Sequence, residues 1–277
     1  MVEPNVALEA ALGTGEGWGV ANLAVAVVGP EGTRAQVGDT RHRFALASVT
    51  KPLVAYACLV AVEEGTLDLD DPAGPQGATV RHLLAHAAGY GFDAGVLQPP
   101  ERSRIYSNTG FDALADHLAE RAEMSAVSYV TEAVFGPLAM IGTDLGDGSF
   151  AHGAWSTVGD LTVFARELLR PTLLTPQTLA EATRVQFPVL DGTLPGVGSQ
   201  SPNDWGLGFE LRGHKAPHWT GRANSPETFG HFGAAGTFLW VDPVADLALV
   251  VLGDRDFGPW ALEAWPVLAD EVLAAAR

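Results

Sequence analysis

Residues Phe44 to Tyr56 read FALASVTKPLVAY, and the rest of the chain is best read outward from this stretch. Ser48 and Lys51 stand three positions apart, ahead of a long apolar run. On a helix, positions i and i+3 share a face, so the hydroxyl and the amine can come within hydrogen-bond reach. A serine hydroxyl is a weak nucleophile until a nearby base takes its proton. A lysine at the end of an apolar helix can be that base, because burial disfavours its ammonium form. The helix N-terminus adds backbone N–H groups that favour developing negative charge. The same letters also suit an ordinary helix start, with Ser48 or Thr50 as the cap and Pro52 in the first turn. Lysine usage bears on the choice, since the chain has two, Lys51 and Lys215.

Downstream, Leu53 to Val62 is apolar almost all the way round, which predicts a helix buried inside a domain and ended by Gly65. TVRHLLAHAAG predicts a helix from a Thr79 cap to a stop at Gly89, and NTGFDALADHLAERA and STVGDLTVFARELL predict two more with polar caps. The two ends of the chain read differently. NLAVAVVGPEGTRAQVG has the chemistry of a hairpin, two β-rich runs around a turn. GTFLWVDPVADLALVVLGD repeats it, with strands at Thr237 to Val241 and Leu247 to Leu252, and a helix at about Trp260 to Ala276 follows. This ordering predicts an α+β protein, an antiparallel sheet built from both chain ends and flanked by helices, with a mostly helical lobe inserted. It gives one domain over residues 1–277, with a sheet lobe at about 1–50 and 205–277 and a helical lobe at about 51–204.

The balance of 33 acidic against 16 basic residues, a net charge of −17, argues against nucleic-acid or membrane-surface partners. Cys58 is the single cysteine, which excludes an intrachain disulfide and multi-cysteine zinc sites. MVEPNVALEAALGTGEGWG has no basic start and no sustained apolar segment, so a cytoplasmic location is expected, and no later run has the length of a membrane span.

Two further segments carry chemistry. RIYSNTG places Tyr106, Ser107 and Asn108 together at the start of a helix. The tyrosine can shuttle protons if neighbouring positive charge lowers its pKa, and Asn108 can hold Lys51 or a substrate amide. GHFGAAGTFLWV leads from His231, Gly233 and Ala234 into a strand. Glycine there admits a ligand close to the backbone, and the Ala234 N–H can pair with that of Ser48 to hold an oxyanion.

Ser-x-x-Lys, Tyr-Ser-Asn and His-x-Gly before a strand, in this order, resemble the serine β-lactamase and penicillin-binding-protein superfamily. The tyrosine resembles that of the class C β-lactamase-like branch, with its esterases, D-amino-acid peptidases and D-alanyl-D-alanine carboxypeptidases. VRHLLAHAAGYG, AWSTVGDLTVFARELL and WGLGFEL are similar to other segments of that branch. The resemblance implies that Ser48 forms an acyl-enzyme, that Lys51 and Tyr106 move the proton, and that Asn108 orients substrate or Lys51. It also implies that His231 lines the opposite wall and that the Ser48 and Ala234 amides, beside Gly233, form the oxyanion hole. β-Lactamases of the branch carry lysine where this chain has His231, a residue mostly neutral at pH 7.

The expected function is therefore a serine hydrolase, a carboxylesterase on small acyl esters, with no cofactor and no metal. The alternatives are a D-amino-acid peptidase or amidase, a weak β-lactamase, or a non-catalytic ligand-binding member of the same fold. His82 and His86 have the i, i+4 spacing of a helical zinc pair, but Leu83 stands where such motifs carry glutamate. His214 and His218 form a second pair in a loop. Nothing in the sequence sets the oligomeric state.

Overall fold

Strands from the two ends of the chain meet side by side at the centre of one sheet. The computed structural model describes residues 6–146 and 148–276. Met1 to Asn5, where the N-terminal reading begins, lie outside the described residues, as do residues 147 and 277. Among the described residues the main sheet has six strands in the order β2-β1-β11-β10-β9-β8. These are β1 (Leu23–Gly29), β2 (Gly32–Val37), β8 (Glu210–Leu211), β9 (Phe229–Gly233), β10 (Thr237–Asp242) and β11 (Leu247–Gly253). All neighbours run antiparallel, and β1 pairs with β11 from Leu23↔Gly253 to Val28↔Ala248.

The strand pleat sorts side chains to two faces. Ala24, Ala26, Val28, Leu239, Val241, Val250 and Leu252 pack with α2 (Thr50–Glu63) and α6 (Val158–Leu169). Val25, Val27, Phe238, Trp240, Leu249 and Val251 pack with α1 (Val6–Leu12) and α8 (Pro259–Ala275). Helices on both faces explain why β10 and β11 read as continuous apolar runs, and each fully buried aliphatic there is worth about 1.5–3 kcal/mol. Every residue of α2 from Thr50 to Ala61 is buried, as its all-round apolar surface predicts.

Three features depart from the sequence reading. The N-terminal segment opens with α1, which packs against the last helix. Helix α3 is short, Val80–Leu84, because the backbone turns left-handed at His86 (φ 55) and again at Gly89 (φ 91). The middle of the chain also holds two small sheets: β3 (Phe44–Ala45) with β5 (Trp155–Ser156), and β4 (Arg104–Ile105) with β6 (Gly192–Leu194) and β7 (Gly198–Gln200). The same stretch of chain also carries α4 (Asn108–Ala122), α5 (Ala126–Val130) and α7 (Pro176–Ala182). No described helix is long and apolar enough to cross a membrane.

Candidate active site

Ser48 lies in a single 3₁₀ turn, Ala47–Val49, directly before α2. It does not cap the helix. Thr50 secures the turn instead, its hydroxyl donating to Ala47 O at 2.7 Å and accepting from Ala154 N–H at 3.0 Å. Ala47 is left-handed (φ 46), a costly conformation for a residue with a Cβ and one common at functional turns. The half-buried Ser48 hydroxyl is thereby left to face Lys51.

Lys51 is fully buried, and its Nζ has three neighbours: Asn108 Oδ1 at 2.7 Å, Ala151 O at 2.9 Å and Ser48 Oγ at 3.4 Å. Burial pulls its pKa well below the ordinary value, and the charges of Asp112 and Asp93 restore only part of it. The neighbours fix the geometry of this amine once it is neutral. Asn108 donates through Nδ2 to Asp93 Oδ1 at 2.8 Å, so its oxygen faces Lys51. That oxygen and the Ala151 carbonyl can only accept, which uses both N–H groups and turns the lone pair toward the Ser48 hydroxyl.

Tyr106 is buried with its ring 4.5 Å below the Lys51 nitrogen. Sequence reasoning allowed a pKa lowered by positive charge, but burial pushes the phenol well up and the Ser48 hydroxyl beside it offsets little. Desolvation outweighs a neighbouring amine that is itself hard to protonate. Tyr106 is therefore a protonated O–H, and its hydroxyl makes no hydrogen bond of normal geometry.

His231, on β9, packs its ring 5.6 Å from Tyr106 and 5.5 Å from Trp205. Burial, with Lys51 close by, lowers its pKa to about 3, so it is neutral. Its Nδ1 lies 2.6 Å from Phe232 O, and a carbonyl only accepts, so Nδ1 carries the proton and Nε2 presents a lone pair. Gly233 ends the strand against the Ser48 turn. A Cβ there would lie 2.3 Å from Leu46 O and 2.5 Å from Thr237 Oγ1, so only glycine lets the two backbones approach. Thr237 Oγ1 donates to Leu46 O at 2.8 Å and closes the same joint. Ladder pairing on β9 ends at Gly233, which leaves Ala234 in the turn just past it.

The structure thus gathers Ser48, Lys51, Tyr106, Asn108, His231 and Gly233 into one site, with Ala234 at the end of β9. It adds residues to which the sequence reading gave no place at this site: Asp93, the Ala151 carbonyl, Trp205 and His86, the last weighed there only as half of a zinc pair. Ala151 supplies a backbone atom and leaves no sequence signal, whereas WGLGFEL contains Trp205 and VRHLLAHAAGYG contains His86.

The histidine pairs are committed elsewhere. His82 closes a capping box with Thr79 and meets Glu101 at 3.1 Å, while His86 lies past the helix end in an aromatic cluster. His214 is exposed. His218 is buried in a network in which Glu210 accepts from Lys215 Nζ and Trp219 Nε1 (2.5 Å) and meets His218 Nε2 at 2.9 Å.

Three comparisons with known proteins bear on this geometry. Residues 14–274 match the Beta-lactamase family. A β-lactamase crystal structure from Mycobacterium bovis is 57% identical, covers 96% of this chain and 99% of its own, and superposes with a TM-score of 0.94. The hydrolase EstCE1, described as having promiscuous acyltransferase activity, is 17% identical over 97% and 99% of the two chains with a TM-score of 0.80, which shows the shared fold. A Salmonella gallinarum protein, provisionally named a D-alanyl-D-alanine carboxypeptidase, is 39% identical over 74 residues. That match takes in 26% of this chain and only 17% of the Salmonella protein's length.

Proposed function

We propose, from the premise that this chain belongs to the β-lactamase family of serine hydrolases, that it is a carboxylesterase acting on small, uncharged acyl esters. The observation that carries the proposal is the Lys51 amine, stripped of solvent and aimed by Asn108 and Ala151 at the Ser48 hydroxyl. Ser48 Oγ attacks the ester carbonyl while its proton passes to Lys51, and the new C–O bond gives a tetrahedral oxyanion. The Ser48 and Ala234 amides receive that charge. Collapse breaks the bond to the leaving alcohol, which takes the proton from Lys51 through the Tyr106 hydroxyl and leaves an acyl-enzyme. Water then attacks, giving its proton back along the same route, and releases the acid and free Ser48.

The character of the site supports an uncharged substrate. Lys51 and His231 are both held toward neutrality, so neither supplies the fixed cation that a substrate carboxylate needs. Half-exposed Phe92, its ring 5.8 Å from Tyr106, offers apolar surface at the rim. A second reading, a D-amino-acid peptidase or amidase, draws on His231 Nε2, a lone pair suited to an amide N–H. β-Lactamase turnover should be weak on either reading.

The test is labelling by a fluorophosphonate probe, with and without Ser48→Ala. Wild type should label and the variant should not; equal labelling, or none in either, refutes the nucleophile and favours a ligand-binding protein on this fold. A panel of p-nitrophenyl esters, D-alanyl p-nitroanilide and a chromogenic cephalosporin, ranked by kcat/KM, then separates the ester from the amide reading.

A further inference from the structure

His86 has no role in the steps above, yet it grips the second motif from behind. Its carbonyl accepts from Ile105 N–H at 3.1 Å, and its Nδ1 accepts from Ser107 N–H at 3.1 Å. These are the amides on either side of Tyr106. Between them, the His86 ring lies 4.6 Å from the Tyr106 ring and is backed by Trp205 at 4.7 Å and Phe111 at 5.2 Å. The chain reaches this arrangement through left-handed backbone at His86 itself, a cost that needs a return elsewhere.

The state of the ring follows from its partner. An amide N–H only donates, so Nδ1 is bare and the neutral ring carries its proton on Nε2. That Nε2 is buried with no hydrogen-bond partner. An apolar ring would fill the space without an orphaned donor, so the imidazole contributes through Nδ1 alone. Ser107, held by that nitrogen, in turn caps α4 by accepting from Gly110 N–H at 2.9 Å and donates to Gly91 O at 2.6 Å. Asn108, the residue that aims Lys51, follows directly.

We propose that His86 is the positioning residue of the second motif, holding the amides on both sides of Tyr106 so that the phenol stays under Lys51 and Asn108 stays on the amine. It sets the rate of acyl transfer without touching substrate. This inference rests on the serine-hydrolase reading and goes beyond it, because it assigns a role to a residue outside the three motifs.

The test compares His86→Phe, His86→Asn and His86→Gln by kcat and KM on p-nitrophenyl butyrate, by the rate of Ser48 labelling, and by thermal melting. Asparagine puts a carbonyl oxygen where Nδ1 stands and tolerates left-handed backbone, glutamine reaches past that place, and phenylalanine keeps bulk alone. H86F should lower kcat by about 10²-fold with KM unchanged, the scale of a small misplacement, and slow labelling in parallel. H86N should recover most of that loss, and H86Q should not. A wild-type kcat in H86F with a lowered melting temperature would reduce His86 to packing and overturn the proposal, as would equal rates in H86N and H86Q. If H86F fails to fold, the H86N–H86Q comparison decides alone. A wild type that does not label removes the hydrolase reading and this inference with it; one that labels alongside unaltered His86 variants removes only the inference.

Discussion

Replacing Asn108 by aspartate tests the proposed base at its most sensitive point. Asn108 Oδ1 sits 2.7 Å from Lys51 Nζ, so the substitution sets a carboxylate against an amine that burial holds toward neutrality. An opposite charge at this range raises an amine pKa by about 1–3 pH units. In the proposed mechanism the working form of Lys51 is the neutral one, so kcat/KM should rise with pH through its pKa, and that rise should move up by the same about 1–3 units. At a fixed pH below it, each unit removes about tenfold of activity. Asp93, 2.8 Å from Asn108 Nδ2, would crowd a second carboxylate and favour its protonation. The Asp93→Asn, Asn108→Asp double variant removes that repulsion by supplying an amide N–H, and should show the shift in full against an Asp93→Asn single variant, because Asp93 itself raises the Lys51 pKa. The assay is kcat/KM on a p-nitrophenyl ester from pH 5 to pH 9. An Asn108→Asp profile that superposes with wild type together with a double-variant profile that superposes with Asp93→Asn, or a shift toward lower pH in either comparison, would refute Lys51 as the base.

Tyr106→Phe should cost at least about 10²-fold in kcat with little change in melting temperature, because the lost hydroxyl has no hydrogen-bond partner in the resting enzyme. Gly233→Ala would force the strand end off the Leu46 carbonyl and should cost about 1–3 kcal/mol in urea unfolding while slowing labelling of Ser48. Glu210→Ala leaves Lys215 buried beside an empty place and should cost about 3–5 kcal/mol by the same measurement. Burial pushes the Glu210 carboxyl up, but His218 and Lys215 outweigh it and hold the pKa well below the ordinary value. That stabilisation is present above the unfolded carboxyl's pKa and is lost as pH falls below it, so wild type should lose stability faster than a Glu210→Gln variant in acid unfolding titrations.

Local spacing carried much of this site. Ser48 and Lys51 are one helical turn apart, and any helix over that stretch puts them on one face. Tyr106 and Asn108 are similarly fixed by adjacency at the start of α4. What the sequence does not display is burial around each group. The Tyr106 phenol is pushed up and not down because the site is dry, and dryness depends on residues as distant in sequence as Trp205 and His231. The Ala151 carbonyl is a backbone atom delivered by a loop, and no side chain announces it. In the fold, the alternating and apolar strands were readable at both ends. The early end of α3 was not, since it depends on a left-handed residue that is not glycine.

The central pairing of β1 with β11 has a consequence for how the molecule is made. Leu23 must find Gly253 before the middle of the sheet exists, and closing so long a loop is slow compared with forming a helix. During synthesis the helices between them can order first, while the apolar β1 waits for β11, a partner that leaves the ribosome long after it. The joint of β9 against the Leu46–Ala47 turn belongs to this late-forming sheet. On this order of events the Ser48 turn meets β9 only late in folding, and a nascent chain stalled before β11 should carry Lys51 at the start of α2 with Ser48 in the turn before it, yet remain inert to a fluorophosphonate.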